Sequence, residues 1–427
     1  MMETQLSEQA KPQARQARQD DGAKRSLAFI IYSPFPNYSG GRENWLYNVL
    51  RLLDEQGYAT SVYSCDTDRP LFHDLTELKN VRLVRVATLQ RRDRLFAVLR
   101  KATLDMALWL DAFLFVRGTY RDLRKSWQGE RIIAMNPLVD VLPALWLKRR
   151  REGVWVACCV RMRAAWGLSR LSPWARPFFE WLERWSLLKS DTVLANGYDT
   201  QDVLQTRGVT STVIPNGVDW ARFADAHSEV PDTLPLRKIR QAGKAIVMMV
   251  GTLWWGKGTD DLLRAAKLMA EAGQTNFHIV FVGKGRQDRY RQKAQKLGLE
   301  DRISFAGEQK QVPAFLRLAD VSVNLSGGLG MGMAALESMA AGRAIIAWDS
   351  PIYRQLIRDG HSGVLVEHGN TKALARELQR LIEDPARREA LGQAAQAEAK
   401  AYDWPAVTLR LVETLQPVEA KSAGDRR

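Results

Sequence analysis

Two series of short apolar runs, each separated by amphipathic stretches, organise this chain. The first opens with LAFIIYS, Leu27–Ser33, a nearly continuous apolar run of the kind a parallel strand shows when helices cover both of its faces. A loop, PFPNYSGGRE, leads into a stretch with Trp45, Val49, Leu52 and Leu53 on one helical face. TSVYSC, VRLVRV, RIIAMNP, VWVACCV and DTVLAN continue as strands, with helical stretches between most of them. A second, cleaner series follows TVIPNGVDWARF. There AIVMMVG, FHIVFVG, RISFAG, VSVNLS, AIIAW and GVLVE read as strands, and TDDLLRAAKLMAEAG, QDRYRQKAQKLG, VPAFLRLAD and MAALESMAAG as helices. Such alternation predicts an α/β fold of doubly wound sheets. Two series predict two Rossmann-like domains facing across a cleft, with ligands at the carboxyl ends of the strands. The expected division is a disordered basic tail over 1–25, a first domain over 26–220 and a second over 221–400. The polar segment around AHSEVPDTLPLRK reads as the linker.

Length agrees, since 427 residues suffice for two domains that each bury a core. Apolar residues at 46% and charged residues at 26% are those of a soluble globular protein. A net charge of +14 points to anionic ligands, an anionic membrane surface or nucleic acid. Cys65, Cys158 and Cys159 make no disulfide framework or metal quartet, which fits a reducing, cytoplasmic setting. Five scattered histidines show no zinc spacing, so no metal is expected. The first 25 residues lack the apolar core of a signal peptide. No stretch reaches the ~20 apolar residues that span a bilayer. LDMALWLDAFLFV is short, carries Asp105 and Asp111, and reads as a buried or interfacial helix.

Candidate chemistry lies in glycine loops at strand ends. Ser39-Gly40-Gly41 sits between the first strand and its helix, where glycines admit a phosphate and a helix start supplies donors. An ordinary βα turn would use the same pair. In Gly251-Thr252-Leu253-Trp254-Trp255-Gly256-Lys257-Gly258 a lysine stands just ahead of a helix, placed to meet a phosphate as a point charge. Most surface lysines are only solvated. Gly283-Lys284-Gly285 and Phe305-Ala306-Gly307-Glu308 end two further strands, and a tight turn explains each almost as well. Finally, LSGGLGMGMAALESMAAGRAII joins a strand end, a glycine loop and a helix, and its one acid is Glu337. Gly330 and Gly332 permit close backbone approach at the helix start. Leu336, Ala340 and the Met333 side chain share a core-facing side.

The order of these motifs from about Leu27 to Pro417 resembles the GT-B glycosyltransferases of family 4, the group 1 enzymes. The resemblance is strongest from Val213 to Glu367. It implies transfer of a sugar from a nucleotide-diphosphate sugar, UDP- or GDP-linked, with retention of configuration and without a metal or cofactor. The acceptor it implies is a glycan or lipid-linked molecule of cell-surface polysaccharide or glycolipid synthesis. By the same resemblance Gly40, Gly41, Thr252, Lys257, Gly283, Gly307, Leu329, Gly330, Met331, Gly332, Met333 and Glu337 face the donor. Lys257 meets the diphosphate, and Glu337 binds the ribose hydroxyls, which suit a bidentate acceptor. Ile214-Pro215-Asn216-Gly217-Val218-Asp219 closes the first domain. A segment over 401–418, starting Tyr402-Asp403-Trp404-Pro405, returns to the first domain before a tail over 419–427.

Three departures stand out. Leu329 replaces the first acid of the family's glutamate pair, Thr252 replaces an arginine, and no histidine lies between His73 and His227. Arg161 stands near the place of the missing histidine and could clamp a phosphate or anionic acceptor, or serve only as a surface charge. A donor-binding but inactive partner subunit is therefore the alternative to an active transferase. Arginines interleaved with Trp and Phe in QRRDRLFAVLRK, LWLKRRREG and RMRAAWGLSRLSPWARPFFEWLERW suit an anionic bilayer interface. The expected location is peripheral, on the inner face of the membrane. Nucleic acid would use the same charges with base stacking; it is the less favoured partner.

Overall fold

The computed structural model describes residues 26–32, 41–66, 75–89, 106–160, 176–225, 236–326 and 332–415. They form two compact units, one of Met1–Ile214 with Thr408–Arg427 and one of Pro215–Val407. Unit 1 holds the strands β1 (Ser26–Ile31), β2 (Ala59–Cys65), β3 (Val81–Val86), β4 (Arg131–Ala134), β5 (Trp155–Val160), β6 (Thr192–Ala195) and β7 (Thr212–Val213). They make one parallel sheet in the order β3-β2-β1-β4-β5-β6-β7. Unit 2 holds β8 (Ala245–Val250), β9 (Phe277–Val282), β10 (Ile303–Gly307), β11 (Val321–Asn324), β12 (Ala344–Trp348) and β13 (Val364–Val366). These form a second parallel sheet in the order β10-β9-β8-β11-β12-β13.

The continuous apolar runs have a direct cause. In β8, Val247 and Met249 belong to one core with Leu262, Leu263 and Ala266 of helix Thr259–Glu271 and Leu374 and Leu378 of helix Thr371–Glu383. Alternate residues Ile246 and Met248 belong to a core on the other face, with Phe315 and Leu316 of helix Val312–Leu318 and Leu336 and Met339 of helix Met333–Ala340. Because strand side chains alternate in direction, a sheet covered twice must be apolar at every position. In unit 1, Ala28, Ile30, Ile132, Ala134 and Val156 pack with Phe115 and Leu123 of helix Met106–Ser126.

That helix contains most of LDMALWLDAFLFV. Asp111 is fully buried within it and accepts a 2.9 Å hydrogen bond from the Tyr32 hydroxyl, the partner a buried carboxyl requires. Leu110 and Phe113 are half-exposed, so the helix is buried on one side and open on another. Among the described residues no helix is long and apolar enough to cross a membrane.

The division between the units differs from the sequence expectation in two places. It falls at Ile214/Pro215, upstream of residue 220 and of the polar segment expected to be the linker. The reason is a pairing between residues far apart in the chain. Val218 N–H donates to the Tyr402 carbonyl, Trp404 N–H donates to the Val218 carbonyl, and the Trp220 indole donates to the Gln396 carbonyl. A side chain at Gly217 would collide with the Trp404 ring. The Pro-Asn-Gly turn is thus held by the end of unit 2, and the second division falls at Val407/Thr408, inside helix Trp404–Thr414. Leu236, within that polar segment, and Ile239, just after it, are buried in unit 2.

Candidate functional site

Order in the second sheet changes direction around β8, which has β9 on one side and β11 on the other. Carboxyl ends of strands at such a switch point diverge and leave room for a ligand. Three of the loops leaving these ends are joined backbone to backbone. Gly251 N–H donates to Val282 O at 2.8 Å and Gly283 N–H to Gly307 O at 2.7 Å. Leu253 N–H donates to Lys284 O at 2.7 Å, and Arg286 N–H returns a bond to Leu253 O at 3.2 Å. Gly283 has φ 148°, and a Cβ there would run into the Gly251 carbonyl. Close approach thus requires glycine at 283, whereas Gly251 is required by its φ of 135°.

The same framework fixes Lys257. A short 3-10 turn over Trp255–Lys257 ends in Gly258, at φ 75°, from which helix Thr259–Glu271 starts. A Cβ on Gly258 would overlap Leu325, the residue that follows β11. The lysine loop is therefore packed directly against the start of the glycine-rich stretch 325–346. Asp260 and Asp261 in the helix's first turn are matched by Lys293 and Arg264. Lys257 is half-buried, and its side chain has no hydrogen bond or ion pair among the described residues. Burial alone pushes its ammonium below the usual lysine range, because a charge removed from water without a partner is disfavoured. Thr252 is exposed beside it.

Glu337 has the complementary character. It lies on helix Met333–Ala340, which begins at Gly332 with φ 62° and has no acid in its first turn. The start of that helix is anchored from one short helix, Pro351–Leu356: Tyr353 hydroxyl bonds Ser326 Oγ at 2.8 Å, and Leu356 packs against Gly332. Both flanks of the glycine loop are thereby fixed. Leu336, Met339 and Ala340 are buried, while Met333 at the helix start is half-buried. Glu337 is half-buried; its carboxyl has no hydrogen bond or ion pair among the described residues and is pushed up to about 7 by burial, with Arg222 opposing. A desolvated cation in the loop after β8 and a desolvated acid on the helix after β11, neither with a side-chain hydrogen bond or ion pair among the described residues, follow neighbouring strands of one sheet. Groups in that condition mark sites where a ligand supplies the missing partners.

Gly283 and Gly307 belong to these joined loops, and Gly332 and Met333 to the helix start. Leu329, Gly330, Met331, Gly40 and Arg161 lie outside the described residues. Gly41 is the first residue of helix Gly41–Glu55 in unit 1. Sequence reasoning missed two participants. Arg222, three residues after the Pro-Asn-Gly motif ends at Asp219, has a charge that acts on Glu337 from 115 positions away in the chain. Trp255, 70% exposed and edge-on to Trp254 at 5.1 Å, stands two residues before Lys257; the doubled tryptophan was the available signal. Among the described residues no group of three His, Cys, Asp or Glu could hold a metal. His278 lies near the start of β9, bonded to Ser304 at 2.8 Å and held neutral with a pKa of about 4 by burial.

Comparison with known proteins identifies the family. Residues 39–222 match the glycosyltransferase family 4 and residues 235–398 the glycosyl transferases group 1. EpsD of Bacillus subtilis, which carries a glycosyltransferase name, is 29% identical over 292 residues, covering 65% of this chain and 74% of EpsD. The phosphatidyl-myo-inositol mannosyltransferase of Mycobacterium leprae is 30% identical over 219 residues, 50% of this chain and 56% of that enzyme. The chain thus spans about half the length of several of the relatives it matches. Anabaena HepE, solved in complex with UDP and glucose, shares the fold with a TM-score of 0.66 at 19% identity, over 91% of this chain and 99% of HepE. With both family matches and the two parallel sheets on one chain, this protein belongs to the group 1, family 4 glycosyltransferases of the GT-B fold.

Proposed function

We propose that this transferase moves a sugar from a nucleotide-diphosphate sugar to a glycan or lipid-linked acceptor of cell-surface polysaccharide or glycolipid synthesis. The observation that carries the reading is a pair of desolvated side chains without hydrogen bond or ion pair among the described residues, Lys257 in the interlocked loop after β8 and Glu337 on the helix after β11. In this reading Lys257 meets the diphosphate and regains a partner for its charge. Glu337 accepts the ribose hydroxyls, which favours its ionised form. The start of helix Met333–Ala340 adds unpaired backbone N–H groups. These groups are in place before reaction, so charge that builds on the departing diphosphate finds donors without reorganisation. Retention of configuration follows if the donor's own phosphate oxygen takes the acceptor proton on the same face, and no metal or cofactor enters. UDP is the favoured nucleotide because HepE binds it. A lipid-linked acceptor is favoured because a relative is a phosphatidyl-inositol mannosyltransferase. Such an acceptor places the chain on the inner face of the membrane.

A second reading has a specific basis. Leu329 cannot accept a hydrogen bond where the resembled family has an acid, which favours a donor-binding chain without turnover. One experiment separates the two: a panel of UDP-, GDP- and other nucleotide sugars, scored by thermal shift and by donor hydrolysis or transfer. A bound ligand raises the melting temperature by mass action. Binding with turnover supports the transferase; binding with no turnover on any acceptor supports the inactive reading; no nucleotide bound rejects both.

A further inference from the structure

Helix Met106–Ser126 and helix Arg176–Lys189 both belong to unit 1. Trp109 and Phe179 join their starts in a stack with centroids 4.6 Å apart and planes 7° apart. Large apolar side chains stand in the open on either side of this joint. Leu110 and Phe113 (53% exposed) lie one turn apart on the first helix. On the second, Phe178 and Trp181 (59% exposed) lie one turn apart and touch at 6.0 Å. Each stripe then changes character. After Phe113 the same helical face continues as exposed Arg117, Arg121 and Arg124, at the spacing of side chains stacked along one side. After Trp181 it continues as Arg184 and Leu188, both exposed.

An aromatic knob flanked by arginines has few chemically suitable occupants. A second copy would have to offer an anionic face, whereas the chain carries a net +14. The excess also sits on this unit: unit 1 has 36 Lys and Arg against 26 Asp and Glu, unit 2 has 26 against 22. Aromatic rings rest at headgroup depth and arginines reach lipid phosphates from the same surface. We propose that the exposed stripes of these two helices form a docking surface for an anionic bilayer, with Phe113 and Trp181 entering the headgroup layer and Arg117, Arg121 and Arg124 meeting lipid phosphates. The inference rests on the reading of a lipid-linked acceptor and names the face that approaches it.

Flotation of the full chain tests it, using vesicles of phosphatidylcholine alone and of phosphatidylcholine with phosphatidylglycerol, at low and high salt. Wild type floats with the anionic vesicles at low salt and is released by high salt. Phe113→Ser with Trp181→Ser, and separately Arg117→Glu with Arg121→Glu, reduce flotation by about tenfold or more. Phe113→Tyr with Trp181→Phe retains it, which guards against a folding defect, and all variants melt like wild type and bind UDP unchanged. Three outcomes overturn the proposal: wild type that stays unbound to anionic vesicles, variants that float like wild type, or self-association through this face in sedimentation without flotation. A chain that floats but binds none of the nucleotides of that panel leaves the docking surface standing and removes the donor reading.

Discussion

The two units wrap a parallel sheet in helices in the same way, yet they expose different things. Unit 2 places one large apolar side chain in open water among the described residues, Trp255, and it lies two positions from Lys257. Unit 1 exposes Leu110, Phe113, Phe178, Trp181 and Leu188 along two helix faces. The unpartnered charges are in unit 2, in loops at the sheet's switch point. Specialisation at strand ends suits a small, highly charged ligand that backbone must approach closely. Specialisation along helix faces suits a large, flat partner. One fold plan, used twice, divides the labour by where it leaves its chemistry unfinished.

Breaking the strand-end half should give the largest effect. Lys257→Ala should lower turnover by about 10- to 100-fold, as expected for loss of a charge-assisted contact of ~1.5–3 kcal/mol, with the melting temperature of the free protein unchanged or raised. A variant with turnover within a factor of two of wild type would place the phosphate elsewhere. Gly258→Val should come next. Its φ of 75° and its contact with Leu325 allow no side chain, so about 1–3 kcal/mol of stability should be lost, read by chemical denaturation.

Glu337 gives a pH-dependent test. Its folded pKa of about 7 stands above the ordinary glutamate value of 4.5, so between the two the folded state holds a proton that the unfolded state releases. Its ionisation therefore costs nothing below about pH 4.5, and the cost grows as pH rises through about 7. Wild type without ligand should lose stability over that window relative to Glu337→Gln. Nucleotide affinity should move oppositely in wild type, rising toward pH 8, and should be flat and weaker in Glu337→Gln. Equal pH profiles would show that Glu337 does not face the ligand. The smallest effect concerns Trp255→Phe. Stability should change by less than ~0.5 kcal/mol at so exposed a site, while the fluorescence change on nucleotide binding should shrink.

Much of this was legible in the sequence, for identifiable reasons. Strands covered on both faces must be apolar throughout, so β1 and β8 through β12 announce themselves. β7, two residues long, carries no period to read. Lys257 could be singled out because glycines and a helix start surround it, and Glu337 because the family resemblance marks its position. The Ile214/Pro215 division falls on the motif read as closing the first domain, but the contact that fixes it, Val218 meeting Tyr402 and Trp404 from the far end of the chain, was not legible. Arg222 was hidden for the same reason: its effect on Glu337 comes from packing between distant helices. The exposed stripe on helix Met106–Ser126 was half legible. LDMALWLDAFLFV gave an apolar helix, but only the fold shows that Phe115 turns inward and Phe113 outward.

Calorimetric titration of wild type and Lys257→Ala with UDP and GDP addresses the central claim most directly, that unit 2 is a donor site held by an unpartnered lysine. The account predicts that one nucleotide binds wild type and that Lys257→Ala loses at least about tenfold in affinity. Equal affinity in the two proteins, or no binding of either nucleotide to wild type, would contradict it.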